Sequence, residues 1–166
     1  MTSKILAVII TFMVTASSIA QEKKVASPAE TATGKINGAT ITINYGSPSV
    51  KGRTIYGKLV PIDEIWRAGA NEATTFETDK DITVAGQKLP AGKYSLFVIP
   101  NKHESTVIFN KDSKQWGATK YDQKQDALRI KVIPVASDPT EKLIYKINND
   151  NVTLSWHIWN FPIPIK

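Results

Sequence analysis

From Ile36 onward apolar and polar side chains alternate in short runs broken by turn dipeptides, and no stretch holds a helical period for long. Asn37-Gly38 separates Ile36 from Ala39–Tyr45, where Ile41, Ile43 and Tyr45 fall on one face and Thr40, Thr42 and Asn44 on the other. Asn-Gly accepts the positive φ angles of a type I′ turn, so this is a predicted hairpin. Ile82–Val84 and Gln87–Leu89 flank Ala85-Gly86 in the same way. Pro90-Ala91-Gly92 then turns the chain into Lys93–Ile99, which is apolar on both faces: Tyr94, Leu96 and Val98 against Phe97 and Ile99. Such a strand belongs inside a sandwich.

Ser105–Asn110 is its predicted partner, and Leu128–Val135 is a further strand that Pro134 closes. The last pair is Leu143–Ile147 with Val152–Trp159, joined through Asn148–Asn151; Val152, Leu154, Trp156 and Ile158 share one face. Leu59–Ala68, behind Pro61, is the one helical candidate, of one or two turns. These elements predict an all-β protein: a single antiparallel β-sandwich of about eight to ten strands with one short helical turn.

Ahead of this pattern the composition changes twice. Residues 1–20 combine a basic start at Lys4, an apolar run Ile5–Val14 and a small-residue end. That is the pattern of a signal peptide, with cleavage between Ala20 and Gln21. The run is short of the roughly 18 residues that span a bilayer, and no later apolar run is of spanning length. Residues 21–33 hold few apolar side chains and read as a flexible leader, leaving 34–166 as the sandwich domain. The expected location is therefore outside the cytosol, in the envelope or outside the cell.

The chain has no cysteine. This excludes a disulfide scaffold, a thiol nucleophile, a thiolate zinc site and a lipid anchor on cysteine. Its formal net charge is +6 at pH 7, but basic and acidic residues interleave, as in Lys80/Asp81 and Lys111/Asp112, so the surface is mildly cationic without a nucleic-acid stripe. Two histidines are present. His103-Glu104 lacks the second histidine of a zinc helix, and the calcium-like start Asp79-Lys80-Asp81 has Val84 and Pro90 where a glycine and a glutamate belong. No metal and no cofactor is expected, and no nucleophile elbow occurs.

The polar chemistry gathers in two places. Trp66-Arg67-Ala68-Gly69-Ala70-Asn71-Glu72, continued by Thr74, reads either as a loop pinned by an Arg67–Glu72 ion pair, with Gly69 making the turn, or as a pocket lined by Arg67, Asn71, Glu72 and Thr74 with Trp66 or Tyr56 as apolar wall. Gln115-Trp116-Gly117, with Tyr121-Asp122, Asp126 and Arg129, forms a second aromatic and polar group, to which His157 and Trp159 could add. The leading expectation is non-catalytic binding of a glycan or small polar envelope ligand. One alternative is an envelope hydrolase using Glu72 or Glu64 with His157; another is a structural domain that docks an envelope protein partner.

The segments G-R-T-I-Y-G-K-L-V-P (Gly52 to Pro61), I-W-R-A-G-A-N-E-A-T-T (Ile65 to Thr75), L-P-A-G-K-Y-S-L-F-V-I-P (Leu89 to Pro100), F-N-K-D (Phe109 to Asp112), Q-W-G-A (Gln115 to Ala118) and Asp126-x-x-Arg129 resemble a bacterial domain-of-unknown-function family, number 2911. The resemblance runs from about Ser27 to Trp156. It implies an exported, β-rich, single-domain protein, periplasmic or extracellular in a Gram-negative type of envelope, and assigns no catalytic residue.

Overall fold

Ten strands follow one another along residues 26–166, which are the residues that the computed structural model describes. The expected signal peptide, its expected cleavage between Ala20 and Gln21, and the first part of the expected leader lie outside them. The strands are β1 (Ala29–Ile36), β2 (Ala39–Gly46), β3 (Thr74–Thr78), β4 (Ile82–Val84), β5 (Gln87–Leu89), β6 (Gly92–Ile99), β7 (Ser105–Asn110), β8 (Asp126–Val132), β9 (Val135–Ile147) and β10 (Asn151–Pro164). All named pairings are antiparallel. Six strands form one sheet in the order β1-β2-β3-β6-β7-β8, while β9/β10 and β4/β5 are two-stranded ribbons.

The two ribbons make the second layer. Val84 bridges Ile165, and Thr83 and Lys166 exchange backbone hydrogen bonds of 2.7 Å, so β4 lies against the chain end that follows β10. Leu143, Tyr145, Val152, Leu154 and Trp156 from the long ribbon join Ile41, Ile43, Phe76, Leu96 and Phe109 from the sheet in one buried cluster. Trp66 and Trp156 lie nearly parallel at 6.0 Å, and Phe76 meets Phe109 edge to face at 5.1 Å. As the alternation predicts, β6 is apolar on both sides. Its second face, with Phe97, packs with Ala73 and Ile108 into a smaller cluster outside the sheet.

Both predicted type I′ hairpins form, with Asn37-Gly38 at φ 49° and 80° and Ala85-Gly86 at 47° and 82°. Four expectations are corrected. The leader reading fails from Ala29, because β1 pairs with β2 along its whole length, from Ala29 with Gly46 to Ile36 with Ala39; backbone pairing orders a stretch whose side chains are mostly exposed. No helix occupies Leu59–Ala68. There Trp66 donates to and accepts from Val98 at 2.8 Å, Asp63 donates to Pro100, and Asp63 sits at φ 60°. Pairing along the edge that β3 leaves free on β6 wins over local helix propensity. The helical turn falls instead at Gln123–Gln125, capped by the Asp122 side chain accepting from the Lys124 N–H.

Third, the strand expected over Leu128–Val135 stops at Val132, and Val135 already begins β9; Pro134, lacking an N–H, marks the break. Fourth, the final ribbon is longer than the alternation suggests and changes face. Register shifts lie on both sides of His157, which has φ 52°. Before them Val152, Leu154 and Trp156 are buried; after them Phe161, Ile163 and Ile165 are, and Ile158 is 41% exposed instead of sharing the core face. An inserted residue in one strand of a ribbon has this effect.

Candidate functional site

Register turns scattered polar residues into a line. Thr31 pairs with Asn44, Asn44 with Thr75, Thr75 with Ser95, Ser95 with Asn110 and Asn110 with Asp126. The result is a polar row that crosses all six strands on the face turned away from the main core. Half of it is covered by the loop after β7. There Ser95 Oγ donates to Asp112 O at 2.7 Å, and Asn110 Oδ1 accepts from the Asp112 N–H at 3.1 Å. The other half, Thr31, Asn44 and Thr75, floors an open groove of about 860 Å³.

Two loops wall the groove. Asn71 and Glu72 come from the segment before β3; Gln115 and Trp116 come from the loop after β7; Lys93 and Lys114 complete the rim. Glu72 and Trp116 bridge through their backbones, and Ala73 N donates to Gln115 O at 3.0 Å. The first loop is seated by Ala70 N on Gly46 O and by Asn71 Nδ2 on Ser27 O, both at 3.2 Å. Two glycines permit that seating. A Cβ on Gly46 would lie 2.2 Å from Ala70 O, and one on Gly69 would lie 2.7 Å from Thr74 Oγ1. The positive φ angles of this turn belong to Ala68 and Asn71, not to Gly69.

Arg67 and Glu72 form no ion pair; the ion pairs among the described residues are Lys93–Glu77, Arg129–Asp126 and Lys131–Glu104. Arg67 Nη1 instead donates to Asn71 O at 2.9 Å, and a Cβ on Gly117 would come within 2.9 Å of it. Its guanidinium thus holds the Asn71 wall and fills the space beside Gly117. Thr74 is fully buried and donates to Ala68 O at 3.0 Å, where Tyr145 also donates at 2.7 Å. Trp66 is in the main core. Tyr56 lies elsewhere, stacked on Trp159 at 4.2 Å with its hydroxyl donating to Trp156 O at 3.2 Å. Of the residues that the sequence singles out for a ligand, Asn71, Glu72 and Trp116 line the groove, and Arg67, Thr74, Trp66 and Tyr56 do not.

Asp126 and Arg129 close the far end of the polar row. Asp126 Oδ2 accepts from Tyr121 OH at 2.6 Å and from Arg129 Nη1 at 2.8 Å, and Oδ1 accepts from Asn110 Nδ2 at 2.9 Å. Burial, then the hydrogen bond to this carboxylate, pushes the Tyr121 phenol up to about 12. On the core face of β2, burial raises the Tyr45 phenol, against the opposing effect of the Tyr145 N–H that its oxygen accepts at 3.5 Å. His157 sits half-buried at the β10 irregularity with Nδ1 unpartnered, and neither Glu64 nor Glu72 hydrogen-bonds or ion-pairs with it among the described residues. The acid/base pair of a hydrolase is not assembled.

Two buried atoms in the groove lining have no hydrogen-bond partner in the protein: Thr75 Oγ1 and Gln115 Oε1. Thr31, Asn44 and Thr75 carry no sequence signal as site residues, because only strand register aligns them.

The architecture and the site define an all-β sandwich with an open polar groove on the outer face of its larger sheet. The chain belongs to the family described as Protein of unknown function (DUF2911), which matches residues 27–165. No curated protein and no solved structure matches it. Among the described residues no helix is long and apolar enough to cross a membrane.

Proposed function

We propose that the protein is a non-catalytic binding domain, exported to the periplasm or the cell exterior, that takes a glycan or another small polar ligand in the groove over Thr31, Asn44 and Thr75. The observation that carries this reading is the pair of unpartnered buried atoms, Thr75 Oγ1 and Gln115 Oε1, beside a tryptophan that is 63% exposed. A buried polar atom without a partner costs about 1–3 kcal/mol, and native proteins hold few of them. A ligand bearing hydroxyl or amide groups removes that cost, and the Trp116 indole offers an apolar face for a ring.

The test is thermal unfolding of residues 21–166 against neutral, amino and acidic oligosaccharides, with Trp116→Ala as the control. A ligand at about a hundred times its dissociation constant adds roughly 2.7 kcal/mol. A melting shift in the wild type that Trp116→Ala abolishes, with folding intact, supports the groove; a shift of equal size in both proteins removes it. A second reading, docking of an envelope protein, is favoured by the exposure of Ile133 and Val135, at 68% and 52%. It is checked by whether Ile133→Ser/Val135→Ser abolishes co-elution with an envelope extract while leaving groove binding unchanged.

A further inference from the structure

Gln115 Oε1 is the free atom of its amide for a reason that begins two groups away, at Asp126. The Asp126 carboxylate accepts hydrogen bonds only, so Asn110 must turn its NH₂ group toward it, and that nitrogen also donates to Asp122 O at 3.0 Å. Asn110 Oδ1 is thereby aimed back at the Asp112 N–H and at Gln115 Nε2, 3.4 Å away. Gln115 Nε2 also donates to Asp112 O at 2.8 Å. A flipped Gln115 would put its oxygen against two acceptors, Asn110 Oδ1 and Asp112 O. The oxygen therefore stays on the other side, in a residue only 8% exposed, with no partner. The buried free atom is an acceptor and requires a donor from the ligand.

The charges around it point the same way. Glu72 lines the groove and makes no ion pair among the described residues, whereas Lys93 is engaged by Glu77 at 3.6 Å. Lys114 is the remaining cation of the lining. The chain as a whole is cationic at +6, yet this groove is rich in acceptors.

We propose that the groove selects a carbohydrate that is a hydrogen-bond donor, neutral or amino-bearing, lying against Trp116 and donating to Gln115 Oε1 and to Glu72, and that it rejects acidic sugars. This rests on the binding reading above and narrows its ligand. An acidic sugar would bring its carboxylate to Glu72 and an amide oxygen, and like charges and unpaired acceptors oppose binding.

The experiment is calorimetric titration of residues 21–166 with three tetrasaccharides: N-acetylglucosamine, glucosamine and galacturonate. The first two are expected to bind roughly tenfold or more tightly than the third. Glu72→Gln, which keeps an acceptor and removes the charge, should weaken the glucosamine tetramer several-fold and the N-acetylated one by clearly less. Galacturonate binding most tightly, in a manner that Trp116→Ala abolishes, would overturn the donor selection and leave the groove reading standing. No binding of any of the three at millimolar concentration, or binding indifferent to Trp116→Ala, overturns both.

Discussion

Gly46 is where the fold and the groove meet. It ends β2 opposite Ala29, its carbonyl accepts from Ala70, and it leaves no room for a side chain, since a Cβ would sit 2.2 Å from a backbone oxygen. Backbone cannot yield as a side chain can. Gly46→Ala should cost about 3 kcal/mol in urea unfolding and shift the amide resonances of residues 70–73. Gly34→Ala, whose Cβ would meet only the Ile147 side chain at 2.8 Å, should cost clearly less. At this scale Asn71, Glu72 and Trp116 were legible from sequence, because polar loop residues beside an aromatic are a local signal. That Arg67 holds the Asn71 carbonyl and leaves Glu72 free was not legible, since it depends on which way a turn with positive φ at Ala68 and Asn71 presents its carbonyls.

Among the elements, the hairpins were legible and the long ribbon was only half so. Asn37-Gly38 and Ala85-Gly86 declare their turns locally, whereas the irregularity at His157 has no sequence marker, and past it alternation assigns the wrong face. The failed helix at Leu59–Ala68 has the same origin: a vacant edge beside Val98 exists only once the sheet does. The loop from Lys111 to Gln125 and strand β8 are tied together through Asp126, whose side chain is 7% exposed. Asp126→Ala should lower stability by about 2 kcal/mol and Tyr121→Phe by about 1 kcal/mol. The double variant should lose less than the sum, because both changes break one network. Urea midpoints on the four proteins check this, and additive losses would mean that the two residues act separately.

For the whole molecule, the five tyrosines behave as a set. Burial raises the phenols of Tyr45, Tyr56, Tyr94, Tyr121 and Tyr145 above the usual value. Each such group gives the native state more protons than the unfolded chain once the pH passes about 10. Its contribution is thus complete below pH 10 and lost as pH rises through the folded value, about 12 for Tyr121. The urea midpoint should fall steeply between about pH 10 and 12, and phenolate absorbance should lag that of free tyrosine. A full phenolate step near pH 10 with the fold intact would contradict this.

The polar row also gives the groove a direction. Neighbouring strands lie about 4.8 Å apart, so the two open steps from Thr31 through Asn44 to Thr75 measure roughly 10 Å before the loop bearing Gln115 closes the path. An elongated guest meets a hydrogen-bonding group at every strand only when it lies across the strands, entering from the β1 edge. The sheet thus acts as a short ruler with a stop at one end, marked in strand widths.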